Sequence, residues 1–222
     1  LFIFQNNSEL RPTGGFIGSF AEIDIRKGEI LALRMPGGGS YDLQGTLRAR
    51  VAAPKPLQLI QPTWQFQDAN WFPDFPTSAK KLAWFYEKSG GPTVDGVVAV
   101  TAGLMTDLLA VTGPIEMPEY GKTITAENFI METQKAVELE YDRTENRPKQ
   151  FLADLAPRLI ERIRGASQEE ILALLGVIDR GFRSRDIQFN ARNPELQAGI
   201  ASLGWHGAIL ETSGDFFSLV QA

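Results

Sequence analysis

The chain has 222 residues, 43% of them hydrophobic, enough to bury a full core as one domain with room for a helical annex. Its formal charge of −5 argues against a general nucleic-acid surface, because phosphate neutralisation needs an excess of Lys and Arg. With no cysteine and His206 as the single histidine, disulfides, thiolate zinc sites and cysteine nucleophiles are excluded, and any catalysis falls to carboxylates, Arg, Lys, Tyr or a hard metal.

Residues 1 to 5 read as an apolar strand. Gln5 to Phe20, QNNSELRPTGGFIGSF, follows as the one local arrangement with clear binding chemistry. Arg11 supplies a bidentate fork for phosphate or carboxylate, and the glycines of the Thr13-Gly14-Gly15 turn let backbone N–H groups approach a ligand. The segment reads equally as a tight connection between two strands. Residues 16 to 35 form a hairpin: Phe16, Ile17, Phe20, Ile23 and Ile25 lead to an Arg-Lys-Gly turn at 26–28, and Glu29 to Met35 returns. Pro36-Gly-Gly-Gly-Ser40 breaks the pattern.

A loop-rich stretch runs on to Pro76, and its aromatics, Trp64, Phe66, Trp71, Phe72 and Phe75, argue for order. Within it Asp68 and Asp74 are hard oxygen donors suited to Mg²⁺ or Ca²⁺. Capping of the next helix is the better reading of Asp74, and Trp71, Phe72 and Phe75 read as core before ligand platform. Ala79, Leu82, Ala83, Phe85 and Tyr86 predict a helix that Gly90-Gly91 ends. Val94 to Val100 is a β-branched strand, Ala102 to Val111 a helix capped by Thr101, and Ile115 to Met117 a short strand. That order predicts a βαβ unit with a parallel pair.

The second half reads as mostly helical. Thr125 caps a helix through about Glu138, and Pro148 opens the next, whose apolar stripe runs from Phe151 to Ile163. Pro157 inside that stripe should kink or divide it. Ser167 and Glu170 form a capping box, and Asn193-Pro194 starts a short helix closed by Gly204. Gly121-Lys122-Thr123 imitates the end of a P-loop, but Glu116 stands where the loop needs glycine. In Glu140 to Gln150, Arg143, Arg147 and Lys149 cluster before a helix N-terminus, an arrangement that attracts anions. The alternative is a solvated loop with local ion pairs to Glu140, Asp142 and Glu145. His206 reads as a structural or surface residue beside Trp205.

QNNSELRPTGGFIGSF, DANWFPDFPTSA, VDGVVAVT, LLAVTGPIEMPEYG and NRPKQFLADL, in that order, resemble a bacterial cell-surface domain family of unknown function whose members follow an N-terminal membrane anchor. That family is in turn similar to the LytR-CpsA-Psr proteins, which transfer glycopolymers from a polyprenyl-pyrophosphate carrier to the cell wall. The resemblance implies an α/β fold with a mixed central sheet and helices on both faces, as a single domain over 1–222. It implies that Arg11, Thr13, Gly14, Gly15, Arg147, Lys149 and Gln150 bind the pyrophosphate. Asp68 or Asp142 would hold Mg²⁺ or act as base. Pro-Thr follows Arg11 where the transferases have Ser-Asp, and Asn146 stands where their first arginine belongs.

No run is long enough for a transmembrane helix, and no signal peptide is visible. Leu1 to Phe4 begins in mid-strand without a methionine and Phe216 to Val220 closes the chain in a second apolar run, so the expectation is a segment of a longer chain with its anchor outside. Two functions follow. The first is a membrane-anchored, extracytoplasmic domain of the cell envelope that binds a polyprenyl-linked phosphorylated glycan or cell-wall polymer and transfers it. The second is a non-catalytic binding module on the same fold, favoured by the missing carboxylates. An intracellular hydrolase or nucleotide enzyme is weakest, lacking P-loop, Rossmann glycines and triad motif.

Overall fold

Two central strands run parallel and carry the rest of the sheet outward from them. In a computed structural model that describes residues 1–141, 143–209 and 213–215, β1 (Phe2–Asn6) pairs in parallel with β4 (Gly96–Thr101), Gln5 opposite Thr101. β2 (Phe16–Arg26) and β3 (Glu29–Arg34) extend one edge as the expected antiparallel hairpin. β7 (Ile187–Ala191) closes the other edge antiparallel to β4, giving the order β3-β2-β1-β4-β7.

Alternation along the central strands assigns the two faces, since successive side chains point to opposite sides. Ile3, Val97 and Ala99 enter a core shared with Leu82 and Phe85 of α1 (Phe75–Lys88) and with Trp64 and Phe66. Phe4, Val98 and Val100 enter a second core. It is filled from α2 (Ala102–Thr112), α3 (Phe129–Glu138), α4 (Gln150–Arg164) and α5 (Gln168–Ser184). The protein is therefore a mixed-sheet α/β fold with helices on both faces, and the loop aromatics are largely core, as their residue types suggest.

Several termini follow the local chemistry. Asp74 accepts from the Thr77 amide at 3.0 Å and caps α1. Thr101 caps α2, Ser167 and Glu170 form the capping box of α5, and Asn193 caps α6 (Pro194–Ser202).

Other expectations are corrected. Ile115–Met117 (β5) does not return to the sheet; it pairs antiparallel with β6 (Lys122–Ile124) in a separate two-stranded ribbon. The parallel partner of β4 is β1, reached across the hairpin, the aromatic loop and α1, so the strand-helix-strand order is not a βαβ unit here. Thr125 is not the cap of α3: Asn128 takes that position, and its Oδ1 accepts from the Thr125 amide instead. Pro148 precedes α4 rather than opening it, and of the two effects expected of Pro157 the division does not occur, since α4 continues through it. Phe151, Leu155 and Leu159 are buried on both sides of that proline, and their packing outweighs the lost backbone bond.

Candidate functional site

A cavity of about 370 Å³ opens where β1 and β4 end, the side of a parallel pair on which α/β sheets bind ligands. Its floor carries Gln5, Ser19 and Thr101, and its walls are apolar, from Phe4, Met105, Phe129, Ile130, Leu152 and Leu155. The volume lies within the range of small-molecule sites.

A β-bulge shapes the floor. Phe4 pairs with Ser19 and Gln5 with Ile17, which leaves Gly18 as the extra residue on β2. Lys149 lies over this glycine, where an added Cβ would come 3.4 Å from Nζ. Its stem packs beside Gly39, whose φ of +67° and lack of a side chain admit the Lys149 Cγ. The Lys149 amide donates to the Gly37 carbonyl at 2.7 Å. The glycine run at 37–39 thus proves to be the surface on which Arg147 to Gln150 rest.

Burial pushes the Lys149 ammonium below the ordinary lysine range, opposed by the negative charges of Glu9 and Glu138 on the same cavity wall. Among the described residues it forms no ion pair. A half-buried cation in a largely apolar chamber, with no carboxylate in contact among the described residues, is chemically suited to an anionic head group joined to an apolar body.

The other candidates are placed differently. Arg147 and Gln150 line an adjoining cavity of about 200 Å³ with Tyr120 and Glu140, and Tyr141 and Pro148 border both chambers. The Gln150 amide donates to Asp154 Oδ1 at 2.8 Å. Arg11 pairs with Asp68 at 3.6 Å, and its guanidinium lies over Phe16, which lines the larger cavity, 5.3 Å from the ring centroid. Tyr41, on the same rim, has its hydroxyl pushed up by burial and by the charges of Glu9 and Asp68.

The Thr13-Gly14-Gly15 turn is not brought to either cavity lining. The Thr13 hydroxyl accepts from Gln5 Nε2 at 2.6 Å and Asn70 Nδ2 at 3.0 Å, and its carbonyl accepts from Gln188 Nε2. An added Cβ on Gly15 would stand 2.2 Å from the Asn6 carbonyl oxygen, and the Gly14 amide donates to the Arg11 carbonyl. Gly15 thus serves the close approach of backbone to backbone, and Gly14 the approach of the Gln5 and Thr101 side chains.

Asp142 lies outside the described residues. Asp68 is raised by burial above the usual carboxylate range, with Arg11 opposing the rise. A guanidinium already neutralises it, and among the described residues no group of three acidic or histidine side chains converges to hold a metal ion. Glu9 and Gly18 lie within the Gln5 to Phe20 stretch singled out from sequence, whereas Tyr41 and the glycine run at 37–39 are residues around the cavity that sequence reasoning missed. The composition of Gly37 to Gly39 was the available signal, since three consecutive glycines admit a close neighbour.

No curated protein matches this chain. The family described as protein of unknown function (DUF4012) matches residues 1–137, which hold β1 to β6 and most of α3, and the chain belongs to that family.

Proposed function

We propose that this chain is an extracytoplasmic domain of the cell envelope that binds a polyprenyl-(pyro)phosphate-linked glycan. Lys149 holds the anionic head, and the apolar cavity takes the adjoining part of the polyprenyl chain. One observation carries this reading: the half-buried Lys149 ammonium, seated over Gly18, faces a largely apolar chamber at the ends of the parallel strands, and among the described residues no carboxylate pairs with it. A phosphate oxygen beside Nζ replaces the water that burial removed, and charge-assisted bonds are stronger in such surroundings.

Binding is better supported than transfer. The Arg11–Asp68 pair and the absence of a converging acidic cluster among the described residues favour the non-catalytic module over the phosphotransferase. A membrane anchor outside the segment is part of the same proposal, and among the described residues no helix is long and apolar enough to cross a membrane.

Equilibrium binding of a fluorescent polyprenyl phosphate tests the reading. The wild-type chain binds, Lys149→Arg retains affinity, and Lys149→Met loses it. Failure of the wild type to bind, or equal affinity in Lys149→Met, rejects it.

A further inference from the structure

The loop between Val51 and Trp64 presents two large aliphatic side chains to solvent. Leu59 is 92% exposed and Ile60 86%, on a 3-10 turn at Leu57–Leu59. The tip is held firmly. Leu57 and Trp64 are buried in the first core, and the Ala53 and Trp64 amides donate to the Pro62 and Val51 carbonyls at 3.0 and 2.8 Å. Pro54, Pro56 and Pro62 bracket it and remove backbone donors.

Charge along this stretch departs from that of the chain. Residues 43–67 contain Arg48, Arg50 and Lys55, all exposed, and no acidic residue, in a protein of net charge −5. Lys81 adds a further cation, lying over the Trp64 ring at 5.7 Å from its centroid.

We propose that this loop docks the domain on an anionic lipid bilayer, with Leu59 and Ile60 entering the head-group boundary and Arg48, Arg50 and Lys55 meeting lipid phosphates. A bilayer is the partner this shape fits. Two isolated protruding side chains cover far less than the roughly 800 Å² per partner that a stable protein interface buries. A lipid interface accepts protruding aliphatics without shape complementarity and is strengthened by adjacent basic residues. The surface is separate from the Lys149 cavity and does not depend on what that cavity binds.

Cosedimentation of the 222-residue chain with phosphatidylcholine vesicles, with and without phosphatidylglycerol, tests the proposal. The wild type partitions onto anionic vesicles and little onto neutral ones. A doubly substituted chain, Leu59→Ser with Ile60→Ser, keeps its circular dichroism and melting temperature and binds about ten-fold less or weaker still. Arg50→Gln with Lys55→Gln loses the preference for anionic lipid. Absence of wild-type binding overturns the proposal, as does binding that survives both double substitutions through the cavity or another surface. Self-association of the wild type that the Leu59/Ile60 substitutions abolish, without vesicle binding, also overturns it.

Discussion

Asp68 lies 3.6 Å from Arg11, and the two side chains, 9% and 27% exposed, neutralise each other beneath the rim of the cavity. A residue type expected to grip phosphate and one expected to grip metal have found each other. The pair therefore answers first to stability.

Arg11→Ala should destabilise the fold by about 1–3 kcal/mol at neutral pH, below the full penalty of a buried pair because Arg11 is partly solvated. The loss should shrink in acid. Asp68 is already raised above 3.8 by burial, and losing Arg11 raises it further. A folded carboxyl above its unfolded value loses stability as pH climbs from the unfolded value through the folded one, and regains it on the way down. Urea unfolding of both proteins at neutral and acid pH measures this, and a pH-independent gap would contradict it.

Lys149→Met should raise stability at neutral pH while weakening anion binding ten-fold or more. The folded ammonium is depressed below its unfolded value of 10.5, so the unfolded chain holds the proton more tightly. Wild-type stability accordingly gains with pH over the window that ends near 10.5, and the variant lacks that gain. Paired unfolding curves against pH, set beside ligand titrations, separate the two effects.

Gly15→Ala and Gly28→Ala make a matched comparison, since both glycines have positive φ, +146° and +81°. At Gly15 the new Cβ collides with the Asn6 backbone, whereas at Gly28 nothing lies within 4 Å. The first substitution should cost more than about 2 kcal/mol and the second about 1 kcal/mol, from backbone strain alone. Thermal melts of the two variants rank them.

Thr13→Val should cost about 1–3 kcal/mol, because it strands the buried Gln5 amide and leaves the Asn70 amide only its bond to the Gly15 carbonyl. Thr13→Ser keeps the acceptor and should remain within about 1 kcal/mol of the wild type. Equal losses in the two variants would show that the methyl group, not the hydroxyl, holds the knot.

Capping chemistry was legible at four helices, because Asp74, Thr101, Ser167 and Asn193 act on amides three residues away, but not at α3, where Asn128 stands at the cap expected of Thr125. β7 was not. Ile187 and Phe189 alternate with Gln188 and Asn190, which look solvent-facing in isolation yet are buried. Gln188 donates to the Thr13 carbonyl and Asn190 to Gln197, partners that local pattern does not reveal. β5 misled for the opposite reason: three apolar-rich residues after a helix fit a parallel return, and only the pairing of Ile115 with Ile124 shows the ribbon.

By itself the sequence determined the α/β class, the hairpin, the principal helices and a short set of cationic candidates, because periodicity and caps act over one or two turns. Which cations meet a cavity was decided only in three dimensions. Lys149 reaches it because the Gly18 bulge and the Gly37–Gly39 run leave room for its stem. Arg11 instead settles on Asp68, since a partly buried charge is stabilised by the nearest opposite one the fold supplies.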